Sequence, residues 1–273
     1  MPGFNPHEVR APAVAGRFYP GDAATLATDV DARLSRAART PRRHLAVLVP
    51  HAGYVYSGDV AAKVFADTAV PRRVIVLSPN HTGEGERGAI WPRGAFAIPG
   101  SQIPVDEALA AQLLQPPLVE DREAHRHEHA LEVELPFLRA RSKDVTITPI
   151  ILGSLRLDEC LAVGELLARV VASLPDEVLV VASSDLSHYL TDEEARRIDR
   201  RAIDPLCALD PERLYRTVYD EDISMCGVLP ATAMLAYARA RGATRAELLA
   251  YATSADAFGD TSRVVGYAGV TID

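Results

Sequence analysis

Three apolar runs in this chain each end by handing over a histidine. Leu45-Ala-Val-Leu-Val-Pro50 delivers His51 directly, and Val74-Ile-Val-Leu-Ser-Pro79 delivers His81 after Asn80. Val178-Leu-Val-Val-Ala-Ser-Ser184 delivers His188 after Asp185-Leu-Ser. Short runs with no polar face read as strands buried on both sides. Such strands need helices over both faces of their sheet, and open α/β sheets place ligands at the carboxyl ends of the strands. The repeated pattern therefore points to one sheet with histidines gathered at one end.

The intervening segments read as helices and further strands. Residues 22–39 carry Leu26, Val30 and Leu34 at four-residue spacing, which predicts a helix. Ser57 is a candidate N-cap for a helix with Val60, Val64 and Phe65 on its apolar side. Residues 88–92 and 95–99 read as a β-hairpin turning through Arg93-Gly94, and 105–115 as a helix begun by Asp106. Leu131, Leu135 and Leu138 give a helical period, with Pro136 as a kink or near the start. Residues 145–153 predict a strand and 157–174 a helix. Thr191-Asp-Glu-Glu194 is a capping box, Asp210-Pro-Glu starts a short helix, and a helix follows at 231–241. Residues 247–254 and 263–272 read as closing strands. The expectation is one α/β domain over residues 1–273, with a largely parallel central sheet flanked by helices and some antiparallel additions.

Several function classes are disfavoured. The net charge of −8 argues against nucleic acid or an anionic membrane as the main partner. Cys160, Cys207 and Cys226 form no CxxC and no even set, which fits reduced thiols in a cytoplasmic setting. The first residues, Met1-Pro-Gly-Phe-Asn-Pro, lack the apolar core of a leader, and no run approaches the roughly 20 apolar residues of a membrane span. The loop 83–88 lacks the Gly-Lys-Ser/Thr ending of a phosphate loop. There is no His-Glu-x-x-His and no Gly-x-Ser-x-Gly, and no spacing sets a serine against His188 as a hydrolytic triad requires.

Imidazole is the commonest side-chain ligand for zinc, copper and iron, and a thiolate adds a soft one. His51 and His81 end strands that can be neighbours. Cys226 precedes a helix, whose positive end is expected to lower its thiol pKa. Asp185 stands three residues before His188. A pocket of two histidines and a cysteine, with a further histidine facing it, follows from these placements. A lone strand-end histidine or a lone cysteine is more often structural; the recurrence on separate elements is what favours a site. His129 and Glu132, three apart, share a helix face and can support the site or touch a substrate. His125 and His127 read as a solvated loop, and Tyr54 and Tyr56 as pocket wall or core.

Taken together, the motifs resemble the Memo family, which includes the B proteins of AmmeMemoRadiSam systems. Ala13-Val-Ala-Gly-Arg-Phe-Tyr-Pro20, Val49-Pro-His51-Ala-Gly-Tyr-Val-Tyr-Ser-Gly58 and Ser78-Pro-Asn-His81 carry the resemblance. So do Glu128-His129-Ala-Leu-Glu132-Val-Glu-Leu-Pro-Phe137, Ser183-Ser-Asp185-Leu-Ser-His188, Met225-Cys226-Gly227 and Gly259-Asp260 with Val264-Val-Gly-Tyr267. The resemblance implies a fold like the class III extradiol ring-cleaving dioxygenases, which use non-heme Fe(II). By that implication His51, His81 and Cys226 are the metal ligands, and His188 is the acid-base histidine, with Asp185 and His129 beside it. Tyr54, Glu132 and Tyr189 become candidate substrate contacts. Ser187 and Tyr189 stand where the family often has cysteine and tryptophan, which concerns the pocket wall.

A thiolate ligand favours Cu(I), Zn(II) or Fe(II) over harder ions. The expected function is an Fe(II)-dependent oxidoreductase of the extradiol type acting on a small molecule with O2. The alternative is a non-catalytic protein that holds copper, iron or a peptide; a zinc hydrolase or lyase ranks below both. AMMECR-type and radical SAM proteins are the pathway partners the resemblance implies.

Overall fold

The protein is described by a computed structural model over residues 8–273; the first residues, where the absence of a leader was read, lie outside the described range. The chain opens with β1 (Val9–Arg10), α1 (Ala23–Arg36), β2 (Ala46–Val49), α2 (Tyr54–Asp67) and β3 (Arg73–Pro79). It continues through β4 (Gly88–Ile90), β5 (Ala95–Ile98), β6 (Ser101–Pro104), α3 (Glu107–Leu113), β7 (Val119–Glu120) and α4 (Glu123–Arg126). Then come α5 (Ala130–Arg141), β8 (Thr146–Leu152), α6 (Leu157–Ala172), β9 (Val178–Ser183) and β10 (His188–Leu190). The chain closes with α7 (Asp192–Cys207), α8 (Pro211–Asp220), α9 (Val228–Ala240), β11 (Ala246–Thr253), α10 (Ala255–Phe258) and β12 (Val264–Ile272).

The main sheet runs β10-β12-β2-β9-β3-β8-β4-β7, with β11 on the other edge of β12. Its centre, β2-β9-β3-β8, is parallel throughout. Outside that centre the pairing of β12 with β2, β10 and β11, and of β4 with β8, is antiparallel. The sheet is therefore mixed, not largely parallel. Parallel neighbours need a long crossover, whereas β4 follows β3 after a short loop and residues 254–263, with only the short α10, join β11 to β12. All four residues of β2 and all six of β9 are buried, as strands covered on both faces must be. Helices α2 and α5 pack on the sheet and carry α1 against them, while α9 packs on the sheet and carries α6 and α8. Among the described residues no helix is long and apolar enough to cross a membrane.

Several local expectations hold for stated reasons. Asp22 caps α1 by accepting from Thr25 N at 2.9 Å, and the Thr191–Glu194 capping box is closed in both directions. Two expectations do not hold. Ser57 is not an N-cap: α2 starts three residues earlier, and Ser57 Oγ donates to Ala52 O at 2.9 Å. Residues 88–90 and 95–98 do not form a hairpin with each other. β4 joins the main sheet, and β5 pairs antiparallel with β6 across Pro99-Gly100, where Gly100 takes the positive φ that such a tight turn requires.

Candidate metal centre

β9 lies between β2 and β3, so the residues following all three strands meet at one end of the sheet. His51 leaves β2 and donates its amide to Asp185 Oδ1, just past β9, at 2.9 Å. His81 leaves β3 and donates its amide to Glu128 Oε2 at 2.5 Å. His129 stands at the N-terminus of α5. The three rings are mutual neighbours, with centroids 5.1 Å apart for His51–His81, 5.5 Å for His51–His129 and 4.6 Å for His81–His129. One potential ligand atom from each falls within 4.8 Å of the others.

In two of the rings Nδ1 is hydrogen-bonded to an oxygen. His51 Nδ1 lies 2.9 Å from Ser183 Oγ, and His81 Nδ1 lies 2.9 Å from Glu128 Oε1. His129 Nδ1 lies 3.3 Å from the same Glu128 Oε1. With the proton held at Nδ1, the Nε2 lone pairs are the atoms left to bind a cation, the usual way protein shells orient histidine ligands. Burial pushes the His51 ring well below the ordinary imidazole range, and the neighbouring rings of His81, His129 and His188 add to the effect. Burial likewise lowers His129. His81 is the exception: burial pulls it down, but the hydrogen bond and charge of Glu128 outweigh that and raise it. Glu128 itself is held below the carboxylate range, because its contacts with His81 outweigh the cost of burial. Two rings whose nitrogens burial keeps unprotonated, His51 and His129, beside a third backed by a carboxylate fit a soft or borderline divalent cation.

Cys226 adjoins this set. Its Sγ lies 3.3 Å from His51 Nε2 and accepts from Asp185 N at 3.2 Å. Gly227 makes that approach possible: a Cβ there would sit 2.4 Å from Ser183 O and 2.3 Å from Ser184 Cβ. The expected lowering of the thiol pKa is not observed. Burial pushes it up, Asp185 adds to the rise, and α9 begins only at Val228. Cys226 thus touches His51, whereas the atoms that converge within 4.8 Å of one another belong to His51, His81 and His129.

An open cavity of about 610 Å³ reaches the three imidazoles and also borders Asp185, His188 and Tyr189. His188 donates its amide to Ser224 Oγ at 2.8 Å, and its Nδ1 lies 2.9 Å from Ser224 O, which leaves Nε2 free. Burial pushes the Asp185 carboxyl up to about 6, against the amides of His51 and Ala52 and the charge of His188. Tyr189 is exposed on the wall with the Arg263 guanidinium 5.0 Å from its ring centre.

Two expected substrate contacts are not on the wall. Tyr54 is buried; its hydroxyl donates to Val133 O at 2.8 Å, and its neighbour Tyr56 borders the cavity instead. Glu132 is fully buried and accepts from Arg10 Nη1 at 2.5 Å, Tyr19 Oη at 2.6 Å, Ala13 N at 2.7 Å and Val14 N at 3.0 Å. The Glu132 charge reaches His129 and opposes the effect of burial there, but its oxygens are taken up by residues 10–19. Glu132 acts on the site through the strap it holds, which carries Arg17 and Phe18 to the cavity, Phe18 edge-on to His129 at 4.8 Å. His125 is not solvated either: it is buried under Trp91 and Phe96 with Nε2 3.2 Å from Ala89 O, while His127 is exposed. Glu128 and Ser183 escaped the sequence reading as site residues. Their signal was adjacency, in Glu128-His129 and in Ser183-Ser-Asp185.

The family model for "Memo-like protein" matches residues 10–271. The chain belongs to the Memo-like family. A MEMO1 family protein of Methanosarcina acetivorans is 38% identical over 267 residues, covering 97% of this chain and 100% of the relative. A MEMO1 family protein of Aquifex aeolicus is 38% identical over 264 residues, covering 96% and 98%. Among solved structures, an uncharacterized protein of Escherichia coli K12, JW3007, aligns with a TM-score of 0.55 at 15% identity, over 85% of this chain and 100% of that one. That likeness concerns the fold alone. The Memo-like motifs quoted above supply His51, His81, His129 and Cys226, together with the oxygen acceptors behind the rings.

Proposed function

We propose that this Memo-like protein is a metal-dependent oxidoreductase of the extradiol-dioxygenase type, acting on a small anionic molecule. His51 and His81 hold Fe(II), with Cys226 and His129 completing the donor set. The observation that carries the reading is the convergence of three imidazoles, with Ser183 and Glu128 hydrogen-bonded to Nδ1 of His51 and His81. Fe(II) bound there would supply the redox chemistry that O2 and a substrate require. His188, with Nδ1 at Ser224 O, takes or returns a substrate proton at Nε2. Asp185 faces the same cavity as a second proton acceptor. Phe18, Tyr56 and Tyr189 line a flat apolar body, and Arg17, which makes no ion pair among the described residues, meets its negative charge at the rim.

A second reading is favoured by one feature: the converging donors are nitrogen and sulfur, with no carboxylate among them, which suits Cu(I) held without turnover. Protein purified without oxygen or chelators distinguishes the two. The first reading expects one equivalent of Fe(II), O2 consumption with a substrate found by screening, and loss of iron in His51→Ala. Unchanged metal content in His51→Ala refutes the ligand assignment. Tight Cu(I) binding with a thiolate-to-metal absorption, and no O2 uptake across a catechol panel, selects the second.

A further inference from the structure

Behind His51 lies a chain of hydrogen bonds unlike those behind the other two rings. Ser183 Oγ is 2.9 Å from His51 Nδ1, 2.9 Å from Glu134 Oε1 and 3.1 Å from Ala130 O. Glu134 is completely buried in α5; its Oε2 has no hydrogen-bond partner, and no cation pairs with it among the described residues. Ser183 brings one proton and two lone pairs to three neighbours. His51 Nε2 faces the thiol and the other rings, so Nδ1 carries its proton and donates to Ser183. The Ala130 carbonyl can only accept. If Glu134 were ionised, the single Ser183 proton would have to serve both Glu134 and Ala130. A buried charge would also be left with one bare oxygen and no counter-ion, which is among the costliest arrangements in a protein interior. With a proton on Glu134 Oε1 all three contacts are satisfied: His51 and Glu134 donate to Ser183, and Ser183 donates to Ala130.

We propose that Glu134 is a neutral carboxylic acid that donates to Ser183 and so acts as a positioning residue for the metal-facing imidazole of His51. Burial drives the Glu134 carboxyl well above the carboxylate range and Asp185 adds to it, with the Ser183 contact opposing. The centre is then asymmetric by construction. His81 and His129 lean on the ionised Glu128, whereas His51 leans on a hydroxyl that a neutral acid holds in place. Withholding a second anion from behind the rings keeps His51 a neutral ligand and disfavours more highly charged metal states.

The metal arm of the test rests on the reading of these histidines as a metal centre; the infrared arm does not. Infrared difference spectra of metal-free wild type against Glu134→Gln should show a protonated carboxyl C=O band at neutral pH that belongs to Glu134. Loading with Zn(II) by chelator competition should then show Glu134→Leu weakened about tenfold or more, as for other residues that orient metal ligands. Glu134→Gln should recover most of that loss, because its amide N–H₂ donates to Ser183 as the acid does. Absence of the carboxyl band overturns the proposal. So does a Glu134→Gln loss as large as that of Glu134→Leu in folded protein, since a carboxylate acceptor is what Gln cannot replace. If wild type binds no Zn(II), the metal-centre reading fails, and the infrared band alone decides the state of Glu134.

Discussion

Glu128 holds His81 by both ends of the residue: Oε2 accepts from the His81 amide at 2.5 Å, and Oε1 lies 2.9 Å from its Nδ1. The same Oε1 is 3.3 Å from His129 Nδ1. One buried carboxylate thus orients the His81 ring and lies against that of His129. Replacing it by Gln keeps its size, removes its charge and, in either amide orientation, puts a donor against an N–H that needs an acceptor. Glu128→Gln should weaken metal binding by about 10–100-fold. Chelator competition monitored alongside thermal unfolding separates that loss from a loss of fold.

His188 touches the cavity, and its partner Ser224 O lies on the side away from it. His188→Gln should leave metal content intact and lower O2-coupled turnover by about 10²–10⁴-fold, the usual contribution of an acid-base group. A variant that loses its metal would instead make His188 a ligand.

The strap that brings Arg17 and Phe18 to the cavity depends on the Arg10–Glu132 pair, of which both side chains are buried. Breaking such a pair from one side leaves an uncompensated charge and costs about 3–5 kcal/mol. Glu132→Ala should therefore show that loss in urea unfolding, together with faster proteolysis within residues 10–20. A change below about 1 kcal/mol, the worth of an exposed pair, would contradict the buried-pair account.

His125 gives the protein an acid-sensitive element away from the metal-facing rings. Burial pushes its pKa down to about 3. The folded state keeps the ring neutral, while an unfolded chain protonates it below about 6.5. Its contribution to stability is complete above that pH and is lost as pH falls toward about 3, at about 1.4 kcal/mol per pH unit. His125→Gln should flatten this part of the stability profile between pH 7 and 4. Chemical unfolding at a series of pH values in both proteins measures it; parallel profiles would refute the assignment.

Much of this was readable along the chain because it rests on local rules. Apolar runs without a polar face specified the buried strands, and Asp106, Thr191 and Asp210 announced their helices. The strand-end positions of His51, His81 and Asp185 followed from the same runs. The misreadings have a common origin. Tyr54 and Tyr56 are two residues apart near the cavity, and only packing against Phe137 and Tyr19 decides that Tyr54 is the buried one. His125 and His127 look alike in sequence, yet one lies under Trp91 and the other in solvent.

By itself the sequence determined the α/β alternation, the donors at the ends of β2 and β3, and the Memo-like motifs, since hydrophobic period and capping act between near neighbours. Only the tertiary structure decided that β12 and β4 run antiparallel to the central strands, that His129 joins His51 and His81 while Glu132 holds the strap, and that Glu128 and Ser183 stand behind the rings. Those outcomes depend on which strand lies beside which, and on the burial that strips water from a carboxyl or an imidazole. Neither is encoded in the spacing of residues along one segment.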